Sequence, residues 1–343
     1  MAETTKKKGL GLPQTRGSFQ IRGKVNGTQK EKFYIEKLTS TNKPWRSVSF
    51  GVEFANERSI YLGLNGMEKE KVWFSKKGED GGKPETKEVP WKDRFTFAEE
   101  GFSLIGTNIG VKKVLDAKGN EVNDRKRLTE YDACKEIGDN LKDGSTVFVK
   151  GAIEFSQYKG KHSTKFVPSQ VSLGKDIDFD ADDFSPTSEF TQYIVFMGIE
   201  PNKEKTRATL TAKIVNYDSI EDTEFIVEDM NFARVLSKNL KPYTGIKVWG
   251  NINVEKNTEE VETKECWGSA NKMEVQKAPM VRELIITGAD PDSVDTTTYT
   301  EKEIDKAIET MKASKQAEDD FGGTSGGWGS VAPSSDDDEE AGW

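Results

Sequence analysis

Two stretches decide the fold: Asn140–Phe155, NLKDGSTVFVKGAIEF, and Asn239–Val254, NLKPYTGIKVWGNINV. An offset of 99 aligns them without a gap, so that Asn-Leu-Lys opens both, Gly151 meets Gly250 and Ile153 meets Ile252. Apolar and polar residues alternate along each, as in a half-buried strand, around a glycine that marks a bend or bulge. Each copy follows an amphipathic stretch, TEYDACKEIGD in the first and EDMNFARVLSK in the second, that predicts a helix. The repeated unit is helix, loop, glycine-broken strand.

Further strands flank each unit. Val48, Phe50, Val52 and Phe54 alternate with polar or small residues, as do Ile60, Leu62 and Leu64. GSFQIRGKVNG from Gly17 aligns with QYIVFMGIEPN from Gln192 if Gly23 matches Gly198, an offset of 175. The first copy then carries an insertion, mainly over 75–128, whose segment KKGEDGGKPETKEVPWKDRF reads as a long loop or arm. Closing strands are expected at KFVPSQVSL from Lys165 and RELIITG from Arg282. Three strands, a helix and two more strands is the order of the OB-fold, so the sequence predicts a mainly β protein with two five-stranded OB-type barrels in tandem.

Composition supplies the boundaries. A basic arm expected to be flexible covers 1–16, and the first barrel 17–174. An acidic linker, KDIDFDADDFSPTSE, covers 175–189, and the second barrel 190–299. A helix over 300–316 places Ile304, Ala307, Ile308 and Met311 on one face, for packing on the second barrel or for self-association. The glycine-, serine- and acid-rich tail over 317–343 has too little apolar surface to offset its ordering entropy and is expected to be disordered. The net charge of −9 is unevenly spread: residues 1–174 hold 32 Lys and Arg against 23 Asp and Glu, residues 175–317 hold 18 against 28, and residues 318–343 hold none against 8. A polyanion-binding module joined to an acidic interaction module is the expected division.

Several classes are disfavoured. His162 is the only histidine and Cys134 and Cys266 the only cysteines, which excludes a four-ligand zinc site of Cys and His within one chain. No phosphate-binding Gly-Lys-Ser/Thr loop occurs, and the Gly-x-Ser-x-Gly match at Gly323–Gly327 falls in the glycine-rich tail without the strand and helix pattern of a nucleophile elbow, so no enzyme, metal or cofactor is expected. No stretch reaches the roughly 20 apolar residues of a membrane span, and MAETTKKKGLG lacks an apolar signal core, so a cytoplasmic location without membrane contact is expected.

Tandem barrels followed by an acidic, aromatic-ended tail resemble the single-stranded DNA-binding proteins of bacteria and their phages. Asp336, Asp337, Asp338, Glu339 and Glu340 lead to Ala341, Gly342 and Trp343, where bacterial members have an aspartate run and Ile-Pro-Phe. Two barrels in one chain favour a phage-type variant, active in the host cytoplasm. The resemblance implies coating of single-stranded DNA in replication, recombination and repair, self-association on the DNA, and recruitment of replication and recombination proteins through the tail.

Sequence-tolerant binding of single strands needs cations along the backbone path and aromatic faces for the bases. Alternation turns Tyr61 and Trp73 outward, with Lys71 beside Trp73, and sets Trp45 between Lys43 and Arg46. Tyr34 is a further candidate on its strand. Trp91, Lys92 and Arg94 in the insertion, and Tyr158, Lys159 and Lys161 in a hairpin, pair an aromatic with cations in loops. Lys150 and Trp249 occupy equivalent positions in the two repeats. Two other readings fit parts of the pattern: an RNA-binding OB-fold protein, and a β-rich structural or assembly protein of a virus, which leaves the basic outward aromatics unexplained.

Overall fold

The computed structural model describes residues 9–78, 82–158, 161–256 and 280–320. It is mainly β. The chain opens with β1 (Gly17–Asn26), β2 (Tyr34–Leu38), β3 (Pro44–Ala55) and β4 (Arg58–Met67). The insertion follows, with β5 (Lys71–Lys76), β6 (Glu85–Pro90), β7 (Ser103–Leu104), β8 (Thr107–Gly110), β9 (Lys113–Leu115), β10 (Glu121–Asn123) and β11 (Lys126–Leu128). Helix α1 (Glu130–Asn140) leads into β12 (Thr146–Tyr158) and β13 (Lys161–Leu173). The second half comprises β14 (Thr187–Pro201), β15 (Ala208–Val215), β16 (Ile220–Val227), α2 (Met230–Asn239), β17 (Thr244–Lys256), β18 (Met280–Asp295) and α3 (Glu301–Asp320).

Strand pairing closes on itself twice. β1 pairs with β3, β3 with β4, β4 in parallel with β13, β13 with β12, and β12 again with β1. In the second half β14 pairs with β15, β15 with β16, β16 in parallel with β18, β18 with β17, and β17 with β14. The circuits are joined by antiparallel pairing of β1 with β14. Their interiors are continuous, with Phe155 of the first 6.3 Å from Phe225 of the second, which stacks on Phe190 at 5.9 Å.

The glycine in each repeat is needed because another strand crosses there. A Cβ on Gly151 would lie 2.0 Å from the Val167 carbonyl oxygen, and one on Gly250 1.8 Å from that of Ile285. Both circuits have a register shift at that point, between Lys150 and Gly151 and between Trp249 and Gly250, as in a β-bulge. Phe19 faces Gly151 and Phe190 faces Gly250. The two first strands therefore correspond by an offset of 171, not the 175 obtained by matching Gly23 to Gly198. Phe19 also pairs with Phe190, so an approximate twofold axis passes between them.

The helices form where capping permits. The Thr129 side chain accepts from the Asp132 N–H at 3.2 Å, and α1 buries Ala133, Cys134 and Ile137. Asp229 caps α2 by accepting from the N–H groups of Asn231 and Phe232. Ile304 and Ala307 of α3 are buried, and Ile304 joins a cluster with Val195, Val215 and Tyr299.

Three expectations change. The insertion is not a long loop: β5, β6 and β7 form a separate sheet, with a small core of Val72, Phe74, Val89, Trp91, Leu104 and Tyr131. β8 extends the main sheet alongside β13. The described part of the N-terminal arm is held rather than free, since Thr15 exchanges hydrogen bonds with Val215 and the Leu10 N–H donates to Tyr217. The acidic segment after β13 lies against the first circuit, with Ile177 buried, the Lys24 ammonium over the Phe179 ring and Asn56 donating to Asp180.

Among the described residues no helix is long and apolar enough to cross a membrane, and no three His, Cys, Asp or Glu residues cluster as a metal site would require.

Candidate functional site

Alternation along β3 and β4 buries Val48, Phe50, Val52, Ile60, Leu62 and Leu64 and turns the intervening residues outward. The outward row of β3 is Trp45, Ser47, Ser49 and Gly51, and its cross-strand partners on β4 are Met67, Asn65, Gly63 and Tyr61. Trp45 and Tyr61 thus stand at opposite ends of one face, six residues apart along β3, or about 20 Å at the strand rise. Between them lies a floor of small polar residues and glycine. At Gly63 a Cβ would meet nothing within 4 Å, so the middle of the floor is open.

Each end has a cation. The Lys30 ammonium lies 5.1 Å from the Tyr61 ring centre and donates to the Tyr61 hydroxyl at 3.2 Å. Its loop is fixed by reciprocal bonds between Thr28 and Asp143, at 2.7 and 3.1 Å. At the other end the Lys37 ammonium lies 5.0 Å from the Trp45 ring centre, because the β2–β3 hairpin sets Lys37 opposite Trp45. Lys43 is exposed where that hairpin turns, after Asn42 at φ 62°. Sequence reasoning missed Lys30 and Lys37. The signal for Lys37 was the hairpin register; nothing local pointed Lys30 at Tyr61.

Arg46 and Tyr34 do not belong to this face. Arg46 neighbours Trp45, so alternation sends it to the other side of β3, where its guanidinium donates to Glu36 Oε1 at 2.8 and 3.0 Å and stacks 3.9 Å from the Tyr131 ring centre. Tyr34 donates to Glu36 Oε2 at 2.8 Å and packs against Gly138 of α1. Burial and the bond to Glu36 push the Tyr34 hydroxyl up to about 12, while bonds from Arg46 and Tyr34 hold the Glu36 carboxyl below its ordinary range. These groups join β2 and β3 to the helix and are not free to meet a ligand.

The insertion is also corrected. Trp91 is buried, at 8 % exposure, and its indole N–H has no hydrogen-bond acceptor among the described residues. Arg94 is held by Asp132 at 2.8 and 3.0 Å and lies between the rings of Trp91 and Phe95. Phe95, which sequence reasoning passed over, is exposed, as is Lys92. Trp73 is 49 % exposed but on the separate β5–β6–β7 sheet, and Lys71 is paired with Glu88 at 3.1 Å. The structure therefore brings Trp45 and Tyr61 to one side of the β3–β4 ladder, with Lys43 exposed at the adjoining hairpin turn, and leaves Trp73 off that ladder.

A second surface lies where the circuits join. Register carries a row across four strands from Lys150 to Gln20, Glu189 and Asn251, and the next outward row from Ala152 to Ser18, Thr191 and Trp249. Lys150 and Trp249 both line a groove of about 590 Å³ there. Trp249 lies on bare backbone, since a Cβ on Gly288 would fall 2.5 Å from the indole, and the residue remains 41 % exposed. Sites expected at Tyr158, Lys159 and Lys161, and in the tail at Asp336, Asp337, Asp338, Glu339, Glu340 and Trp343, lie outside the residues whose side chains are described.

A family model described as YorF matches residues 77–323. No curated protein matches the sequence. Among solved structures, the wild-type single-stranded DNA binding protein from Thermus aquaticus aligns at 11 % identity with a TM-score of 0.36, over 81 % of this chain and 93 % of that one. A deletion mutant of the same protein aligns at 11 % identity and 0.37, over 81 % and 94 %. Likeness this remote carries no argument about what the present chain binds.

Proposed function

The chain belongs to the YorF family, and we propose that it is a non-enzymatic protein that binds single-stranded DNA without strong sequence preference. On this reading each strand circuit is an OB-type barrel, since both have the closed order of first, second, third, fifth and fourth strand. The single observation that carries the proposal is the outward β3–β4 face. It sets an aromatic ring with its own lysine at each end of an open floor of serine, glycine and asparagine about 20 Å long. OB-folds bind oligonucleotides on this pair of strands, and rings plus cations bind bases and phosphates without reading sequence. Coating of DNA in replication, recombination and repair belongs to the proposal, as does recruitment of replication proteins by the acidic tail ending in Trp343.

Tryptophan fluorescence titrated with oligo(dT), oligo(U) and duplex DNA tests it. Salt-sensitive quenching by oligo(dT), weaker with duplex, is the expected result. Tighter binding of oligo(U) would move the assignment to RNA, and no response to any of the three would overturn it.

A further inference from the structure

The β9–β10 hairpin is firmly seated, and three cations gather at its base. Asp116 accepts from the N–H groups of Lys118 at 2.8 Å and Asn120 at 2.9 Å, which fixes the tip. At the base, the Asp124 N–H donates to the Lys112 carbonyl at 2.8 Å, and the Asn123 side chain donates to the Leu173 carbonyl at 2.7 Å, which pins the hairpin to the end of β13. Between hairpin and strand end is a cleft of about 540 Å³ lined by Lys113, Arg125 and Lys175 against one acid, Glu121. None of the three cations has an ion pair among the described residues, whereas neighbouring Lys126 is neutralised by Asp124 at 3.1 Å and Glu136 at 2.9 Å. The fold thus leaves uncompensated the charges that face the cleft. Beside them Val114, Leu115 and Val122 are exposed, Leu115 to 70 %.

The cleft is also connected. Arg22 donates to the Lys175 carbonyl at 3.2 Å. It lies two residues along β1 from Gln20, on the same outer face, and Gln20 pairs with Lys150. Lys150 in turn lines the junction groove with Trp249, which stands three strand spacings across and two residues along, about 16 Å away. The cations Lys150, Arg22 and Lys175 therefore lead from an indole platform to the hairpin. Separated charges along a path with a stacking ring at one end and aliphatic groups at the other match a chain of repeating phosphates that also carries apolar sugars and bases.

We propose that the β9–β10 hairpin and the end of β13 form a second phosphate-binding site for single-stranded DNA, which holds the backbone of a strand too long for the β3–β4 face alone. The inference rests on the single-stranded DNA reading and adds a separate contact to it. The test uses the full chain and a Lys113→Ala/Arg125→Ala variant, with oligo(dT) of about 8 and about 35 nucleotides, one within the range covered by a single OB-fold and one above it. For the long strand, the slope of log affinity against log salt should fall in magnitude by about 1.4, about 0.7 for each lost phosphate contact. The short strand should bind the variant like the parent, which also reports that the variant is folded. Acetylation of Lys113 in the parent should be blocked by the long strand. Equal slopes on the long strand, or acetylation undiminished by DNA, would overturn the site and leave an acidic peptide as its occupant. Equal weakening on both lengths would overturn it as well, by assigning these cations to the first face. A parent that binds neither length would instead defeat the DNA-binding reading from which the inference starts.

Discussion

The two strand circuits share an interior plan and differ in what they present to solvent. Both carry the same closed pairing, the same bulge at a glycine and a capped helix before that strand. Following register outward from that common frame, Gly51 corresponds to Thr211, and their cross-strand partners Tyr61 and Glu224 therefore occupy equivalent places. Open Gly63 corresponds to Ile226. Lys213, also on the second face, is neutralised by Asp222 at 2.6 Å. Where the first circuit has a ring, a lysine and an open floor, the second has a carboxylate, a filled position and a paired cation. Burial requirements keep two copies alike inside; nothing comparable constrains the outer face, where a binding surface can be present in one copy and absent from the other.

The largest expected contrast is in affinity. Replacing Trp45 and Tyr61 together by alanine should remove about 2 to 6 kcal/mol of oligo(dT) binding, at about 1 to 3 per stacked base. Replacing Thr211 and Glu224 together should leave affinity within about twofold, because no ring is lost there. Equal losses in a fluorescence titration would break the contrast.

The shared interior predicts symmetry instead. Gly151→Ala and Gly250→Ala each drive a methyl group into the carbonyl of the crossing strand, and each should cost about 1 to 3 kcal/mol, the usual range for overpacking. Urea melts of the two variants should show similar destabilisation. A harmless substitution at either position would show that the two bulges are not equivalent.

Gly63→Ile makes the first face resemble the second. A Cβ at Gly63 meets nothing within 4 Å, and a β-branched residue suits a strand, so thermal stability should hold. The new side chain stands in the floor between the two rings and should weaken oligo(dT) binding about tenfold, or about 1.4 kcal/mol, by obstructing one stacked base. Unchanged affinity would mean that DNA does not cross this position.

These contrasts also explain what could be read without coordinates. The repeat was legible because Gly151 and Gly250 are fixed by close strand crossing, and the outward direction of Tyr61 and Trp73 because alternation in a strand is local. Pairing was not legible. The match of Gly23 to Gly198 failed because one shared glycine does not fix a register: the pairing of Phe19 with Gly151 and of Phe190 with Gly250 places Ile194, four residues earlier, at the position of Gly23. Arg46 looked available because it adjoins Trp45 in sequence, yet adjacent strand residues face opposite ways, and only the fold shows Glu36 and Tyr131 waiting on that side. Trp91 looked like a loop residue because the insertion is glycine- and lysine-rich, and its burial depends on Tyr131 from α1, forty residues on.

The smallest predicted effect separates the interiors by pH. Cys134 in the first circuit is buried, with its thiol near the Leu64 carbonyl at 3.3 Å, and burial pushes it up from 9.0 to about 12. In the second circuit Tyr299 is pushed up from 10.0 to about 12, again chiefly by burial. A group whose pKa is raised by folding gives stability that is complete below its unfolded value and lost as pH rises toward the folded one. Loss from Cys134 therefore begins near pH 9, whereas loss from Tyr299, and from Tyr34 in the first circuit, begins near pH 10. The thermal midpoint of the parent should start to fall between pH 9 and 10. Cys134→Ala removes the only thiol among the described residues; it should melt lower at pH 7, since a buried group is lost, but hold its midpoint flat until the tyrosines begin to ionise. Parallel curves for parent and variant from pH 8 to pH 10 would show that the thiol does not couple to folding, and that the alkaline limits of the two circuits are alike.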